Sequence, residues 1–334
     1  MAEWRISVNN TDKKGCLSVQ DLVVEYRSGG ETVQAVNHIS FDLPGGRSLG
    51  LVGETGAGKT TTAKSIMRIL PDHATQKVCG VIEYDGTDIL KISEAEMQKI
   101  RGGKISMIFQ DPMTALNPVK TVGDQIAEGL MVHQGLDKSG ARAKAIEMLQ
   151  TVGISEDRVD EYPHQFSGGM KQRVVIAIAL ACNPELIIAD EPTTALDVTI
   201  QAQVLELIKK LQEQRGTSMI LITHDLGVVA QGCDDVAIVY AGEIVEKGTL
   251  EEIYDHPMHP YTEGLFGAIP ELTRDTHRLS PVPGLPPDPT ALPTGCYFAP
   301  RCPYATDLCT EKHFDLEKVG GSHYVRCRKK EQEG

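Results

Sequence analysis

The stretch Gly53-Glu54-Thr55-Gly56-Ala57-Gly58-Lys59-Thr60 decides the fold. It satisfies G-x-x-x-x-G-K-[ST] at every fixed position, follows the apolar run Ser48-Leu49-Gly50-Leu51-Val52, and opens a helical pattern from Thr61 to Leu70. Strand, glycine-rich loop and helix in that order form a phosphate cradle. The glycines let successive backbone N–H groups turn inward around phosphate oxygens, and the helix starting near Lys59 adds its positive N-terminal dipole at the same place. Lys59 carries an ammonium to the β- and γ-phosphates, and the Thr60 hydroxyl has the length to ligate Mg²⁺. Gly53, Glu54, Thr55, Gly56, Ala57, Gly58, Lys59, Thr60 and Thr61 are therefore the candidate phosphate-binding residues. A chance glycine-rich turn before a lysine would not bring its flanking strand and helix with it.

A second segment completes the chemistry. Leu186-Ile187-Ile188-Ala189 is an apolar run that ends in Asp190-Glu191. Such a run places Asp190 at the C-terminal end of a buried parallel strand, where α/β folds put their ligand sites. Asp190 is the expected Mg²⁺ partner. Glu191 is the expected general base for an attacking water, because phosphoryl transfer needs positioning and charge neutralisation more than covalent chemistry. A solvated Asp-Glu pair is the plainer reading in isolation; the phosphate loop upstream and the turn at Pro192 argue against it.

The chain has 334 residues, 41% of them hydrophobic, enough for one large domain with an extension. No apolar run reaches membrane-spanning length; Val174 to Cys182 is the longest obvious one. Met1-Ala2-Glu3-Trp4-Arg5 lacks the layout of a signal peptide, and a cytoplasmic location is expected. The formal net charge of −13 argues against nucleic-acid binding, which needs a basic surface. Residues 261–334 hold 9 Lys+Arg and 10 Asp+Glu, so −12 of the −13 belongs to residues 1–260.

β-branched and apolar content predicts strands at 17–26, 35–43, 81–84, 105–109, 186–189, 219–223, 236–240 and 244–246, with residues 121–182 mostly helical. This alternation indicates an α/β core with a largely parallel sheet and a helical insertion. Composition changes near residue 260. Half of the 18 prolines and half of the 8 cysteines follow it, and Pro281-Val282-Pro283-Gly284-Leu285-Pro286-Pro287 cannot continue a helix or a central strand.

Gly53 to Thr60, Gln110 after a strand, Ser167-Gly168-Gly169 before a helix, Asp190-Glu191, Ala195-Leu196-Asp197, and His224 after Leu221-Ile222-Thr223 together resemble the nucleotide-binding subunit of an ABC transporter. The resemblance covers about residues 17–260, and the Ser-Gly-Gly signature separates this family from other P-loop NTPases. It implies a cassette with a RecA-like parallel sheet core, an antiparallel β subdomain, a helical subdomain at about 115–170, and a small Cys/Pro-rich extension at 261–334. It also implies that Tyr26 stacks on adenine, although a tyrosine ending a strand equally suits half-buried packing. Gln110 is implied to touch Mg²⁺ and the lytic water, His224 to sense the γ-phosphate, and Asp197 to lie in a loop crossing between protomers. Ser167, Gly168 and Gly169 are implied to contact the ATP held by a facing subunit, so that ATP closes a homo- or heterodimer. Phe166 and Met170 stand where leucine and glutamine are usual.

His259-Pro260-Tyr261-Thr262, Ile269-Pro270, the proline run and Gly295-Cys296-Tyr297-Phe298-Ala299-Pro300-Arg301-Cys302-Pro303 resemble the C-terminal extension of dipeptide, oligopeptide and nickel importer ATPases, the first of that system's two ATPase subunits. The implied partners are a second ATPase, two membrane permeases and, indirectly, an extracytoplasmic solute-binding protein, with this chain peripheral at the cytoplasmic membrane face. A nickel or oligosaccharide importer of the same branch, and a soluble non-transport ABC ATPase, are the alternatives. Cys296, Cys302, Cys309 and Cys327 form C-x₅-C-x₆-C-x₁₇-C. Disulfides are disfavoured in a reducing cytosol, zinc usually shows a tighter pair, and a four-thiolate cluster tolerates wide spacing. The resemblance points to a [4Fe–4S] cluster, ranked above zinc and free thiols.

Overall fold

Short β-branched runs and longer mixed segments alternate along the chain, and the computed structural model, which describes residues 16–193, 198–268 and 282–328, turns them into strands and helices in that order. The strands are β1 (Leu17–Ser28), β2 (Glu31–Leu43), β3 (Ser48–Val52), β4 (Thr75–Tyr84), β5 (Thr87–Asp88), β6 (Ile105–Ile108), β7 (Leu186–Asp190), β8 (Ser218–Thr223), β9 (Asp235–Tyr240), β10 (Glu243–Thr249), β11 (Glu317–Gly320) and β12 (His323–Val325). The helices are α1 (Lys59–Met67), α2 (Glu94–Ile100), α3 (Pro112–Ala115), α4 (Val122–Gln134), α5 (Lys138–Thr151), α6 (Gly168–Leu180), α7 (Val198–Arg215), α8 (Leu226–Ala230), α9 (Leu250–Asp255), α10 (Pro260–Phe266) and α11 (Asp307–Glu311). Two compact units result. The loop unit gathers residues 19–41, 48–82, 221–268 and 282–328; the insertion unit gathers 16–18, 42–47, 83–193 and 198–220.

In the loop unit, β3 is buried along its whole length and runs parallel to β9, with Leu51 opposite Ala237 and Val52 opposite Ile238. A strand covered on both faces reads as a continuous apolar run, which is why Ser48–Val52 lacks alternation. β9 turns back antiparallel into β10, and β10 pairs antiparallel with β12, Glu246 opposite Val325. β11 pairs antiparallel with β12. Residues beyond 260 therefore add strands to the sheet that carries the phosphate loop. The sequence shows no strand signal at β11 because all four of its residues are exposed and only Val319 among them is apolar, a pattern that resembles a loop.

In the insertion unit, β6 and β7 are parallel and fully buried, Met107 opposite Ile188 and Ile108 opposite Ala189. α4, α5 and α6 pack on one another, and α6 also packs on β6. Each of these helices starts at a side-chain cap: Thr121, Asp137 and Ser167 accept from the backbone N–H groups of Asp124, Gly140 and Met170. α6 is apolar almost all round, with Val174, Ile176, Ala177 and Leu180 buried, as expected of a helix enclosed by its neighbours.

Candidate nucleotide-binding site

The phosphate loop leaves β3 at Gly53 and enters α1 at Lys59. Two of its glycines are required by geometry. A Cβ on Gly53 would lie 2.1 Å from the Val239 carbonyl oxygen, and one on Gly58, whose φ is 98°, would lie 2.4 Å from the Ala35 carbonyl oxygen. Ala57 is buried and its carbonyl accepts from the Gly242 N–H at 3.0 Å, so the β9–β10 turn holds the back of the loop. Lys59 is buried, and its ammonium donates to the carbonyls of Gly53 at 2.6 Å and Glu54 at 2.9 Å. The Lys59 charge thus sits inside the curl of the loop. Thr55 and Gly56 are exposed at the tip, while Thr60 and Thr61 are half-buried on the first turn of α1. Tyr26, in β1, is half-buried, and His224 follows β8 at the surface.

The insertion unit carries the acidic pair. Asp190 ends β7 and is 2% exposed. Glu191 follows with φ 45°, a left-handed conformation that non-glycine residues adopt rarely and at some cost. Its carboxylate Oε2 accepts from Gln110 Nε2 at 2.9 Å. Gln110 follows β6, the strand paired with β7, so two neighbouring strand ends bring together two residues that the sequence reading assigned separately. Ser167 caps α6, accepting from the Met170 N–H at 3.4 Å, and Gly168 and Gly169 form the first turn of that helix. Ahead of them Arg158 lies 4.4 Å over the Phe166 ring and donates to the Gln165 carbonyl at 3.0 Å. Phe166, in place of the usual leucine, thereby gains a cation–π partner. Asp197, with Ala195 and Leu196, lies outside the described residues, as do Ile269-Pro270 and the N-terminal stretch.

One set of contacts was not foreseen. Glu54, the second residue of the phosphate loop, accepts from Arg301 through both oxygens, Nη1 to Oε2 at 2.9 Å and Nη2 to Oε1 at 3.0 Å. The Glu54 N–H donates to the Tyr261 hydroxyl at 2.9 Å. Tyr240, Tyr261 and Phe298 pack ring against ring around this point. Burial lowers the proton affinity of the Arg301 guanidinium, but its bonds to Glu54 and Tyr240 outweigh that and shift it upward, so it stays charged. Arg301 and Tyr261 both lie in the segments that resemble the importer-type extension, yet nothing in spacing links residue 301 to residue 54.

A family model described as ABC transporter matches residues 36–194, and one described as oligopeptide/dipeptide transporter, C-terminal region, matches residues 245–309. The dipeptide transport ATP-binding protein DppD of Bacillus subtilis (strain 168) is 51% identical over 313 residues, 93% of this chain and 93% of that protein. The chain belongs to the ABC transporter family. The oligopeptide transport ATP-binding protein OppD of the same organism is 50% identical over 313 residues, covering 93% of this chain and 87% of that protein. Among solved structures, a dimeric post-hydrolysis ATP-binding cassette bound to ADP and Pi aligns at TM-score 0.63 and 29% identity, over 70% of this chain and 98% of that one.

The iron–sulfur expectation does not hold for this ABC transporter chain. Cys296, Cys302, Cys309 and Cys327 do line one cavity, with His259, Phe298 and Arg326 among their neighbours. Among the described residues, however, no group of three or more His, Cys, Asp or Glu side chains is placed to hold a metal ion. The cavity measures about 20 Å³, room for little more than one water. Burial pushes the Cys296 thiol up to about 11, only partly relieved by the N–H groups of Phe298 and Ala299. No disulfide links the four cysteines. Spacing and resemblance supplied ligand types; the fold does not supply the ligand geometry, for a [4Fe–4S] cluster or for zinc.

Proposed function

We propose that this chain hydrolyses ATP to power the import of dipeptides or oligopeptides across a membrane. One observation carries the reading: an ABC transporter region and an oligopeptide/dipeptide transporter C-terminal region stand in one chain, whose relative named for dipeptide transport is 51% identical along 93% of both lengths. We read residues 1–260 as the ATPase domain and 261–334 as the importer-type extension.

ATP binds with its phosphates in the loop from Gly53 to Thr60, Lys59 neutralising the β- and γ-phosphates and Thr61 supporting the first turn of α1. Glu191 takes the proton from water as the water oxygen bonds to the γ-phosphorus and the bond to the β-bridging oxygen breaks, leaving ADP and phosphate. The hydrogen bond from Gln110 to Glu191 supports the assignment of both to water positioning. Thr60, Gln110 and Asp190 offer hydroxyl, amide and carboxylate oxygens, the hard donors that Mg²⁺ takes beside substrate phosphates, and they are the residues that would hold it; the ion supplies charge neutralisation. His224 senses the γ-phosphate and Tyr26 faces the adenine. Ser167, Gly168, Gly169 and Asp197 serve the nucleotide of a facing subunit. That subunit is a homologous second ATPase or a second copy of this chain, and both work beneath two permeases fed by a solute-binding protein. The chain is peripheral at the cytoplasmic face, in keeping with the finding that no helix among the described residues is long and apolar enough to cross a membrane.

The test is reconstitution of this chain with its second ATPase, permeases and binding protein in liposomes loaded with ATP. Uptake of a labelled dipeptide or tripeptide that stops with Glu191→Gln is the expected result. Uptake of a nickel chelate or an oligosaccharide and of no peptide would replace the substrate class, and absence of ATP hydrolysis by the assembled complex would remove the reading altogether.

A further inference from the structure

Phosphate binding needs several backbone N–H groups of one short loop aimed at the same point, and every degree of freedom the loop retains beforehand is lost on binding. In this chain the second residue of that loop is fixed from outside it. The Arg301 guanidinium grips the Glu54 carboxylate with two parallel hydrogen bonds, 247 positions away in sequence, and the Arg301 side chain is only 4% exposed. The grip does not move with Glu54. Arg301 Nε donates to the Pro283 carbonyl at 2.8 Å, and Nη2 also reaches the Val282 carbonyl at 3.3 Å, so the guanidinium is anchored to its own segment. The Tyr240 and Phe298 rings lie 5.7 and 5.9 Å from it, and the Tyr240 hydroxyl accepts at 3.3 Å. Tyr261, also beyond residue 260, holds the Glu54 N–H. A forked, charge-assisted pair with a buried guanidinium and a half-buried carboxylate is less screened than a surface ion pair and fixes geometry as well as distance.

We propose that Arg301 is a positioning residue for the nucleotide loop: through Glu54 it holds the loop in its phosphate-binding shape, so that ATP affinity depends on the docked C-terminal extension. This rests on the ATPase reading above and adds a residue of the extension to it. The extension thereby acts on the nucleotide step itself, besides any role at the membrane. Arg301 touches no substrate atom; its effect passes through Glu54.

The decisive experiment is a double-mutant cycle on the full chain, titrating the fluorescent analogue mant-ATP with Mg²⁺ and measuring steady-state hydrolysis on Glu54→Gln, Arg301→Met, the double variant and Arg301→Lys. Each single variant is expected to weaken mant-ATP binding about tenfold, and the double variant no more than either alone, because both remove one interaction. For Arg301→Met, hydrolysis at saturating ATP is expected within about twofold of wild type, which places the effect of Arg301 in KM and not in kcat. Arg301→Lys should recover little, since an ammonium cannot form the fork. Single variants that bind as tightly as wild type, or losses that multiply in the double, would overturn the proposal. Glu54→Gln preserves side-chain size and leaves the Arg301 bonds to Pro283, Val282 and Tyr240 in place, so it decides the matter if Arg301→Met lowers the melting temperature. A wild-type chain that neither binds nor hydrolyses ATP would remove the ATPase reading; one that does both, with unchanged affinity in the variants, would remove only the role of Arg301.

Discussion

Glu54 in the phosphate loop and Glu191 at the end of β7 are carboxylates in the two segments proposed to act on ATP, and their partners differ in kind. Glu54 faces a guanidinium shut away from solvent and tied to two carbonyls of its own segment. Glu191 faces the exposed amide of Gln110 from a backbone with positive φ. A half-buried, anchored charge pair restrains; an exposed neutral donor can be exchanged for water at small cost. The difference suits the two tasks. A loop that binds phosphate gains from being shaped in advance, whereas a base that must accept a proton gains from a partner it can leave.

The largest expected effect lies on the lightly held side. Glu191→Gln keeps the size and the hydrogen-bonding shape but removes the proton acceptor, so hydrolysis should fall by roughly 10²- to 10⁴-fold, about 3–5 kcal/mol of barrier, with nucleotide affinity retained. Single-turnover hydrolysis beside a nucleotide-binding titration separates these two readouts. A variant that hydrolyses ATP at the wild-type rate would remove Glu191 as the base and leave the contrast with Glu54 without functional content.

On the restrained side, Gly53→Ala should be among the most damaging small substitutions. Its Cβ would stand 2.1 Å from the Val239 carbonyl oxygen, a backbone atom in a buried strand that cannot step aside. Overpacking against backbone should cost about 3 kcal/mol, a drop of roughly 6–12 °C in melting temperature by calorimetry. A shift of less than about 2 °C would mean that the loop is not pinned as its contacts indicate.

The same restraint should weaken in acid. His259 is fully buried before α10, its Nδ1 accepts from the Tyr261 N–H at 3.1 Å, and the charged groups bearing on it are Glu246, which favours protonation, and Arg326, which opposes it. Burial dominates and depresses its pKa from 6.5 to about 4. A histidine depressed in the folded state contributes stability that is present above the unfolded pKa and is lost as pH falls toward the folded one. The window is therefore pH 6.5 down to about 4, and the stake is roughly 3 kcal/mol. Protonation also removes the acceptor for Tyr261, the residue whose hydroxyl holds Glu54. Hydrogen exchange over residues 259–268, followed from pH 7 to 4, should show protection falling there before it falls in β6 and β7; uniform loss would sever the link between His259 and the loop.

Much of this arrangement was legible in the sequence because it is local. The loop from Gly53 to Thr60 is contiguous, so its residue types carry its geometry; the helix starts at Lys59 as expected and ends at Met67, short of Leu70. Asp190 and Glu191 followed from an apolar run that must be a buried strand. β4 shows a strand pattern only from Val81, because its first residues, Thr75 to Cys79, are mostly polar and exposed. Long-range encounters left no such trace. The Glu54–Arg301 pair and the hairpin of β11 and β12 on β10 depend on how distant segments meet, and neither periodicity nor spacing records that. The cysteines erred in the opposite direction: their spacing and family resemblance suggested a metal centre, while the fold gathers them around a cavity of about 20 Å³ with no ligating geometry.

The smallest expected effect sharpens the contrast at the start of α6. Ser167 caps this helix through a 3.4 Å bond to the Met170 N–H and stands exposed, as weakly held as Gln110 and far from the restraint at Glu54. Replacing a serine cap by alanine costs about 1 kcal/mol in general, and a long, solvated bond belongs at the lower end of that range, so Ser167→Ala should lower the melting temperature by no more than about 2–4 °C. Its effect on hydrolysis by the assembled transporter should exceed that, because the hydroxyl is assigned to the nucleotide of the facing subunit and not to the stability of its own. The comparison to make is melting temperature against ATPase rate in the same preparation. A rate loss no larger than the small stability change would reduce Ser167 to a helix cap, whereas a rate loss of about tenfold in a normally folded chain would place it among the groups that act across the dimer.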